Sequence, residues 1–541
     1  MMTALHALRP WLDHYPAGVP HEIAVPEGAT LVSLIEEACT RYASRVAASC
    51  QGEQLGYAQL GTLSQQLAAR LQQAGLERGD RVALMMPNCL AYLVGLAGVL
   101  RAGMVVVTVN PLYTPRELMH QLVDSGARAI LVAQPFAATI SELKANTALK
   151  LVVTTPVIAS PADLSAAMEL TPDAQPARHP IAPGDTAFLQ YTGGTTGVSK
   201  GAVLTHGGVL ASLAQLRSWS EFSLQGPLTS LVTPLPLYHV YPLAIALMAL
   251  AIGTENRLIP NPRDMQAMIG ELARRPFELL IGVNTLFNAL VESPALSTVD
   301  FSATRLVTGA GASVQGAVAR RWEEAGGPKI TEGYGLTETS PSATFNLPGR
   351  NGCIGMPVPS TDVRVVDAEG KAVAMGTAGE LLIRGPQLFA GYWQREEETR
   401  NAFTDDGWFK TGDIVVMDDT GCLSLVDRKK DMILVSGFNV YPNEIEAVVA
   451  SMPSVLECAC VGVPDERSGE APHLFIVPRE STLTAEQVEA HCRANLTGYK
   501  VPRHFSFVQA LPKSAVGKIL RKELRASPPG SAGGNTPPAV N

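Results

Sequence analysis

The sequence lacks the marks of a secreted, metal-stapled or membrane-spanning chain. Its eight cysteines, at positions 39, 50, 89, 353, 422, 458, 460 and 492, include no CxxC pair, so neither a structural zinc site nor a disulfide framework is expected. Cys458 and Cys460 are read as pointing to opposite faces of one strand. The opening MMTALHALRP has neither the basic run nor the apolar stretch of a secretion signal, which makes Asn495-Leu496-Thr497 a chance match to a glycosylation triplet. The longest apolar run, Leu243 to Ile252, is about half of the ~20 residues that a bilayer span requires. Charge is sparse at 17%, and 42 Lys and Arg against 50 Asp and Glu leave a net −8. With no global basic field, no nucleic-acid partner is expected, and the location is read as cytoplasmic.

What is present is a long apolar chain: 541 residues, 46% of them hydrophobic, with mean hydropathy +0.13. That excludes a disordered or collagen-like protein, and since single cores stop growing near about 250–300 residues, it calls for two or three packed units. From Arg81, strand-like runs (RVALMM, MVVVTV, ARAILVA, LKLVVTT) alternate with helix-like ones (LAYLVGLAGVLRAG, PRELMHQLVDSG), the pattern of an α/β sheet. Residues 155–184, rich in Pro and Ala, read as a surface excursion. Near Ile354 the texture changes to short strands between Gly/Pro turns, a β-rich subdomain over about 354–427. Asp427-Arg428-Lys429-Lys430-Asp431 puts five ionisable residues in a row and reads as an exposed joint. The expected organisation is therefore α/β: an N-terminal domain of stacked sheets over 1–427, a C-terminal α+β domain over 428–526, and a disordered tail over 527–541.

The densest chemistry lies in Tyr191-Thr192-Gly193-Gly194-Thr195-Thr196-Gly197-Val198-Ser199-Lys200-Gly201, just after the strand-like TAFLQ. Glycines that turn backbone N–H groups inward, hydroxyl donors and the Lys200 charge together describe a phosphate cradle. It is not a Walker loop, because Ser199 stands where GK[ST] needs Gly. Gly197 to Gly201 also matches GxSxG, the nucleophile elbow of hydrolases, but that reading needs a later His partner, and His473, His491 and His504 fall in a separate domain. An ordinary Gly-rich turn is the remaining alternative.

Three weaker motifs follow. In Glu332-Gly333-Tyr334-Gly335-Leu336-Thr337-Glu338-Thr339, a hydroxyl beside a carboxylate suits a phosphate oxygen and Mg²⁺, and Tyr334 suits a flat base. Asp413, after the Thr411-Gly412 turn, suits vicinal ribose hydroxyls. The loop Pro512 to Lys518 precedes ILRKELR, and from Gly498 to Arg525 there are seven Lys/Arg against one Glu. That reads either as a patch for polyphosphate or as a solvated basic face.

In this order the motifs resemble the adenylate-forming superfamily of acyl-CoA synthetases, peptide-synthetase adenylation domains and luciferases. Asn110 to Leu122, Asn261 to Asp264, Gly282 to Leu290 and Lys429 to Glu446 make the sequence most similar to bacterial long-chain fatty-acid–CoA ligases. The resemblance implies that a fatty acid, ATP and CoA are substrates, with Mg²⁺, and that an acyl adenylate forms first and passes to the CoA thiol. It implies that Thr192, Gly193, Gly194, Thr195, Thr196, Gly197 and Lys200 hold the β/γ-phosphates, Glu338 the metal, and Thr337 the α-phosphate. Tyr334 and Gly335, with Gly309, Ala310 and Gly311, would flank the adenine, and Asp413 and Arg428 the ribose. Lys518 would bridge carboxylate and α-phosphate. His239 would gate between acyl pocket and adenylate, Lys430 would be the hinge of a rotating C-terminal domain, and Gly437 would line the pantetheine tunnel. Leu237, Tyr238, Val240, Tyr241, Val283 and Phe287 are candidate acyl-pocket walls. A short stretch over 341–354 and the sequence Val307 to Ala312 depart from the family pattern and leave acyl specificity open. A carrier-protein acceptor, aryl or short branched acids, peripheral membrane contact and a homodimer also stay open.

Overall fold

The computed structural model describes residues 9–192, 199–224, 226–350, 352–436, 438–514 and 517–526. The β–α alternation produces two large sheets. One has six strands: Leu151–Thr155, Ala127–Ala133, Arg81–Met85, Val105–Thr108, Thr186–Thr192 and Lys200–Thr205, parallel except for the last pair. The other has nine, with Ser230–Thr233, Leu279–Gly282, Leu306–Gly309 and Ile330–Tyr334 parallel at its centre.

Between these sheets lie helices that are apolar on every side. In Leu90–Arg101 every residue through Leu100 is buried, and the helix packs on strands of both sheets. In Val240–Ile252 every residue through Leu250 is buried. A helix without a polar face belongs inside a large core, and this accounts for the longest apolar run of the chain. Among the described residues no helix is long and apolar enough to cross a membrane. The excursion at 155–184 contains a helix, Pro161–Ala167, set by a Ser160/Asp163 capping box and Pro161 in the first turn.

The β-rich region is a four-stranded antiparallel sheet, Asp362–Val366, Gly379–Arg384, Phe409–Met417 and Leu423–Arg428. After it comes a five-stranded sheet built on the long pair Val455–Asp465 and Gly469–Pro478. Cys458 and Cys460 share one face of that pair, packed with Ile445, Val449 and Cys492. Ala459 and Val461 face the other side, toward Leu511 and Leu524. The expectation that the two cysteines straddle the strand therefore fails, because side chains alternate with period two and residues two apart share a face.

The charged joint also differs from its reading as wholly exposed. Its three central cations are exposed, but Asp427 and Asp431 are buried. Asp427 accepts from the Asn443 backbone N–H at 2.9 Å, and Asp431 pairs with Arg525 at 2.6 Å. The basic count over 498–525 dissolves in the same way. Lys500, Arg503, Lys513, Arg521 and Arg525 are each ion-paired, to Glu444, Asp465, Glu457, Glu446 and Asp431. These cations are spent within the C-terminal region, so they do not form a polyphosphate patch.

Candidate active site

The cleft opens at the carboxyl ends of Leu279–Gly282, Leu306–Gly309 and Ile330–Tyr334, where parallel α/β sheets present ligand-binding loops. Gly335 begins one of these loops, and a Cβ there would overlap the Pro341 carbonyl, so the turn into Thr337–Thr339 admits no side chain. The Ser514–Lys518 turn enters from the C-terminal side. Gly517 has φ +77°, and a Cβ on it would run into Thr285 Oγ1 and approach Val283. Only glycine combines that left-handed backbone with so close an approach.

Lys518, delivered by this turn, is the centre of the site. Its charge is felt by His239, and Asp413, Glu338, Arg428 and Lys430 all act on it. Its Cε lies 3.5 Å from where a Gly311 Cβ would be. Burial and the neighbouring Arg428 pull its ammonium down to about 8, against the opposing pull of Asp413 and Glu338. His239 precedes Val240–Ile252, and burial, then Lys518, lowers it to about 3, so its imidazole is neutral across the physiological range.

Asp413 is buried, accepts from Tyr334 Oη at 2.5 Å and lies 3.3 Å from Arg428 Nε. Burial pushes its carboxyl up while Arg428 and Tyr334 hold it down. Glu338 is also buried and accepts from Tyr392 Oη at 2.7 Å. Thr192 and Lys200 are in register across an antiparallel pair, which pins both ends of the glycine-rich segment between them. Lys200 lies 3.7 Å from Glu398 and 5.5 Å from the Tyr392 ring centroid. Gly193, Gly194, Thr195, Thr196 and Gly197 lie outside the described residues, as does Gly437. The loop joins strand to strand, whereas a nucleophile elbow requires strand, turn and helix, so the hydrolase reading of Ser199 loses its context.

The PLYH segment is held by its backbone. Leu237 N–H donates to Asn88 Oδ1 at 2.8 Å, Tyr92 Oη donates to Leu237 O at 3.2 Å, and Gln190 Nε2 donates to Tyr238 O at 2.5 Å. Tyr241 Oη and Thr308 Oγ1 are 2.7 Å apart. Leu237, Val240, Tyr241, Val283 and Phe287 are buried and Tyr238 is half-buried. A crevice of about 10 Å³ lies beside Val240–Ile252, against Phe188, Leu204, Val240, Ala244, Leu247 and Ser340. Of the six candidate wall residues, only Val240 lines it. Thr337, Ala310 and Gly335 stand on the loops that border the cleft. Lys430 is exposed beside it, with burial of its stem and Arg428 lowering its ammonium.

Sequence reasoning passed over Tyr392 and Glu398. Tyr392 joins the Lys200 and Glu338 sides of the cleft, because Ala202 and Tyr392 pair in an antiparallel bridge. The local sequence AGYWQREEETR carries no periodicity that announces this, and only the long-range pairing reveals it.

The AMP-binding enzyme family matches residues 35–393, and its C-terminal domain matches residues 444–518. The long-chain-fatty-acid–CoA ligase of Yersinia pestis is 49% identical, over 95% of this chain and 97% of its own. That of Haemophilus influenzae is 43% identical, over 95% and 98%. Among solved structures, the anthranilate CoA ligase AuaEII in complex with anthranoyl-AMP superposes with TM-score 0.85 at 26% identity, over 93% of this chain and 98% of its own. ATP-bound MatB from Rhodopseudomonas palustris gives 0.81 at 29%, over 92% and 99%. Matched by the family over residues 35–393 and by relatives at 43–49% identity over 95% of its length, the chain belongs to the AMP-binding enzyme family.

Proposed function

We propose that this protein is an AMP-forming fatty-acid–CoA ligase that acts on long-chain acids, with ATP and CoA as its other substrates and Mg²⁺ as its cofactor. The observation that carries this reading is the convergence of Lys518, from the C-terminal region, on Asp413, Glu338 and His239 of the rest of the chain.

In the first half-reaction a carboxylate oxygen attacks the α-phosphorus of ATP. The bond to the bridging oxygen breaks and pyrophosphate leaves. Two anions must meet, so catalysis is positioning and charge stabilisation. Lys518 is the cation placed to lie between carboxylate and α-phosphate, and their arrival raises its proton affinity from about 8. Asp413, fixed by Tyr334 and Arg428, accepts from the ribose hydroxyls. Lys200, together with Thr192 and the following glycine-rich loop, takes the β/γ-phosphates, and Thr337 the α-phosphate. Magnesium is commonly held by one or two carboxylates plus substrate phosphates. Glu338, a single carboxylate oriented by Tyr392, fits that donor set, and a metal held there would neutralise phosphate charge.

In the second half-reaction the CoA sulfur attacks the acyl carbonyl and the bond to AMP breaks. Lys518 fills the cleft in the present arrangement, so the thiol needs another. We read residues 428–526 as a domain that turns about Lys430 on residues 1–427 between the two steps. Neutral His239, beside Lys518, separates the acyl chain from the phosphates. Peripheral contact with a membrane belongs to the same reading, because a long-chain acid partitions into lipid, and vesicle co-sedimentation tests it.

AMP release from ATP by the purified protein, with saturated acids of increasing length and an aryl acid, with and without CoA, tests the assignment. CoA-dependent release that peaks at long chains is expected. Adenylate formation without CoA turnover would replace CoA by a carrier-protein acceptor.

A further inference from the structure

Outside the cleft, two sulfurs lie in contact. Cys353 and Cys422 are far apart in sequence, yet the Cys422 thiol donates to Cys353 Sγ at 3.2 Å. The backbone enforces the encounter. Ile354 N–H donates to Leu423 O at 2.8 Å and Leu423 N–H to Gly355 O at 2.9 Å, a bridge that clamps the segment after the Glu338 loop to the start of the strand Leu423–Arg428. Both side chains are buried, in a cluster with Trp11 and Val365. Cys353 is 9% exposed.

The Cys422 hydrogen bond lowers Cys353 against its burial and raises Cys422, and Cys353 Sγ also lies 3.1 Å from Asn346 Oδ1. Cys39, Cys50, Cys89, Cys458, Cys460 and Cys492 are all raised by burial. Thiolate character selects the sulfur that peroxide attacks, so attack is expected at this contact pair, at Cys353, rather than at the other six thiols.

The pair is wired to the nucleotide cleft. Gly352 N–H, next to Cys353, donates to Glu332 Oε1 at 2.7 Å, and Glu332 Oε2 accepts from Val314 N–H at 2.9 Å. Val314 closes the loop that contains Gly311, against which Lys518 rests. On the other side, Cys422 stands at the head of the strand that ends in Arg428, the partner of Asp413.

We propose that Cys353 and Cys422 form a peroxide-oxidised dithiol whose reversible disulfide displaces the wall of the nucleotide cleft and lowers acyl-adenylate formation. The Cys353 thiolate attacks a peroxide oxygen, the O–O bond breaks, and a sulfenic acid and hydroxide result. The Cys422 sulfur then attacks Cys353 sulfur, the S–O bond breaks and water leaves. Two thiols and one hydrogen peroxide become one disulfide and two waters. Disulfide sulfurs sit about 2 Å apart, so the step draws the 352–354 segment toward the hairpin by roughly 1 Å. That pull acts on Gly352 and hence on the carboxylate it shares with Val314. The functional half of the proposal rests on the assignment of this cleft to adenylate formation.

The test uses the full-length enzyme. Hydrogen peroxide is titrated against it, linked peptides are mapped by mass spectrometry, and fatty-acid-dependent ATP–pyrophosphate exchange is followed before and after dithiothreitol. We expect a Cys353–Cys422 linked peptide to form ahead of oxidation at the other six cysteines. Exchange should fall by at least about fivefold, the lower end of couplings between sites, and recover on reduction. Cys422→Ser should give no link and should leave Cys353 trapped by dimedone as the sulfenic acid. Cys422→Ala serves as the second variant, with exchange by its reduced form as the check on folding. Absence of the link in the wild-type enzyme, or a full link with unchanged exchange, overturns the proposal. A reduced enzyme without any exchange instead overturns the assignment of the cleft, and the peptide map still decides the dithiol.

Discussion

At the scale of single residues, Lys518 is the point at which the assignment is most exposed to test. Lys518→Ala should remove acyl-adenylate formation, because the cation between two anions is gone, and should leave transfer to CoA from preformed acyl adenylate largely intact. Equal loss of both halves would refute the two-arrangement account. The pH dependence follows from the same residue. With Lys518 near 8 in the free enzyme, kcat/KM for ATP should be flat below that value and fall as pH rises through it, since the protonated ammonium is the working form. Loss on the acidic side instead would assign the ionisation elsewhere. Glu338 carries a second prediction. Glu338→Ala should cost orders of magnitude in magnesium-dependent turnover, whereas Tyr392→Phe, which removes only the 2.7 Å bond that orients this carboxylate, should raise the magnesium concentration needed for half activity by the about 10–100-fold typical of a lost outer partner. An unchanged magnesium titration in Tyr392→Phe would reduce Tyr392 to a packing residue.

At the scale of elements, much of the architecture was legible because it follows from period. The runs RVALMM, ARAILVA and LKLVVTT became strands, and LAYLVGLAGVLRAG became a helix, since continuous apolar stretches between turns fit buried parallel strands and helices without a polar face. The capped helix at Pro161–Ala167 was missed because its prolines and alanines looked like loop, although Ser160 and Asp163 already spelled the capping box. The site was legible as a set of motifs, for Tyr334, Asp413, Arg428 and Lys518 do meet in one cleft. Contacts between distant segments were not legible. The Tyr392–Ala202 bridge and the burial of Asp427 and Asp431 depend on pairings that no local pattern encodes. The acyl wall belongs with these, because every buried apolar residue near His239 looks alike in sequence. The crevice against Leu243, Ala244 and Leu247 is about 10 Å³, room for a single water, so it does not trace the path of an acyl chain.

At the scale of the whole molecule, the question is what lets one cleft serve two reactions. The C-terminal sheet holds its own cations in ion pairs and reaches across to the larger part through Lys518 and through Arg479, which pairs with Glu292 at 2.5 Å. Such a half-exposed pair is worth only about 0–1 kcal/mol, so a turn of the domain gives up little there, and its larger cost is the Asn443 bonds to Asp427 and Val426. The turning point should be the exposed cations between Asp427 and Asp431, two buried carboxylates that both bond to the C-terminal region, Asp427 to the backbone of Asn443 and Asp431 to Arg525. Proline at position 430 fixes φ there and restricts residue 429. Among the described residues the Lys430 N–H makes no hydrogen bond, so proline there removes no donor from the present arrangement. Lys430→Pro is therefore expected to retain ATP–pyrophosphate exchange within a few-fold and to lose CoA-dependent release of acyl-CoA by at least about tenfold, the effect of about 1.4 kcal/mol on a barrier. If thioester formation proceeds at the wild-type rate, the domain turns about some other residue; if exchange is lost as well, proline has damaged the docked arrangement itself, and the joint is part of the first reaction rather than the pivot between the two.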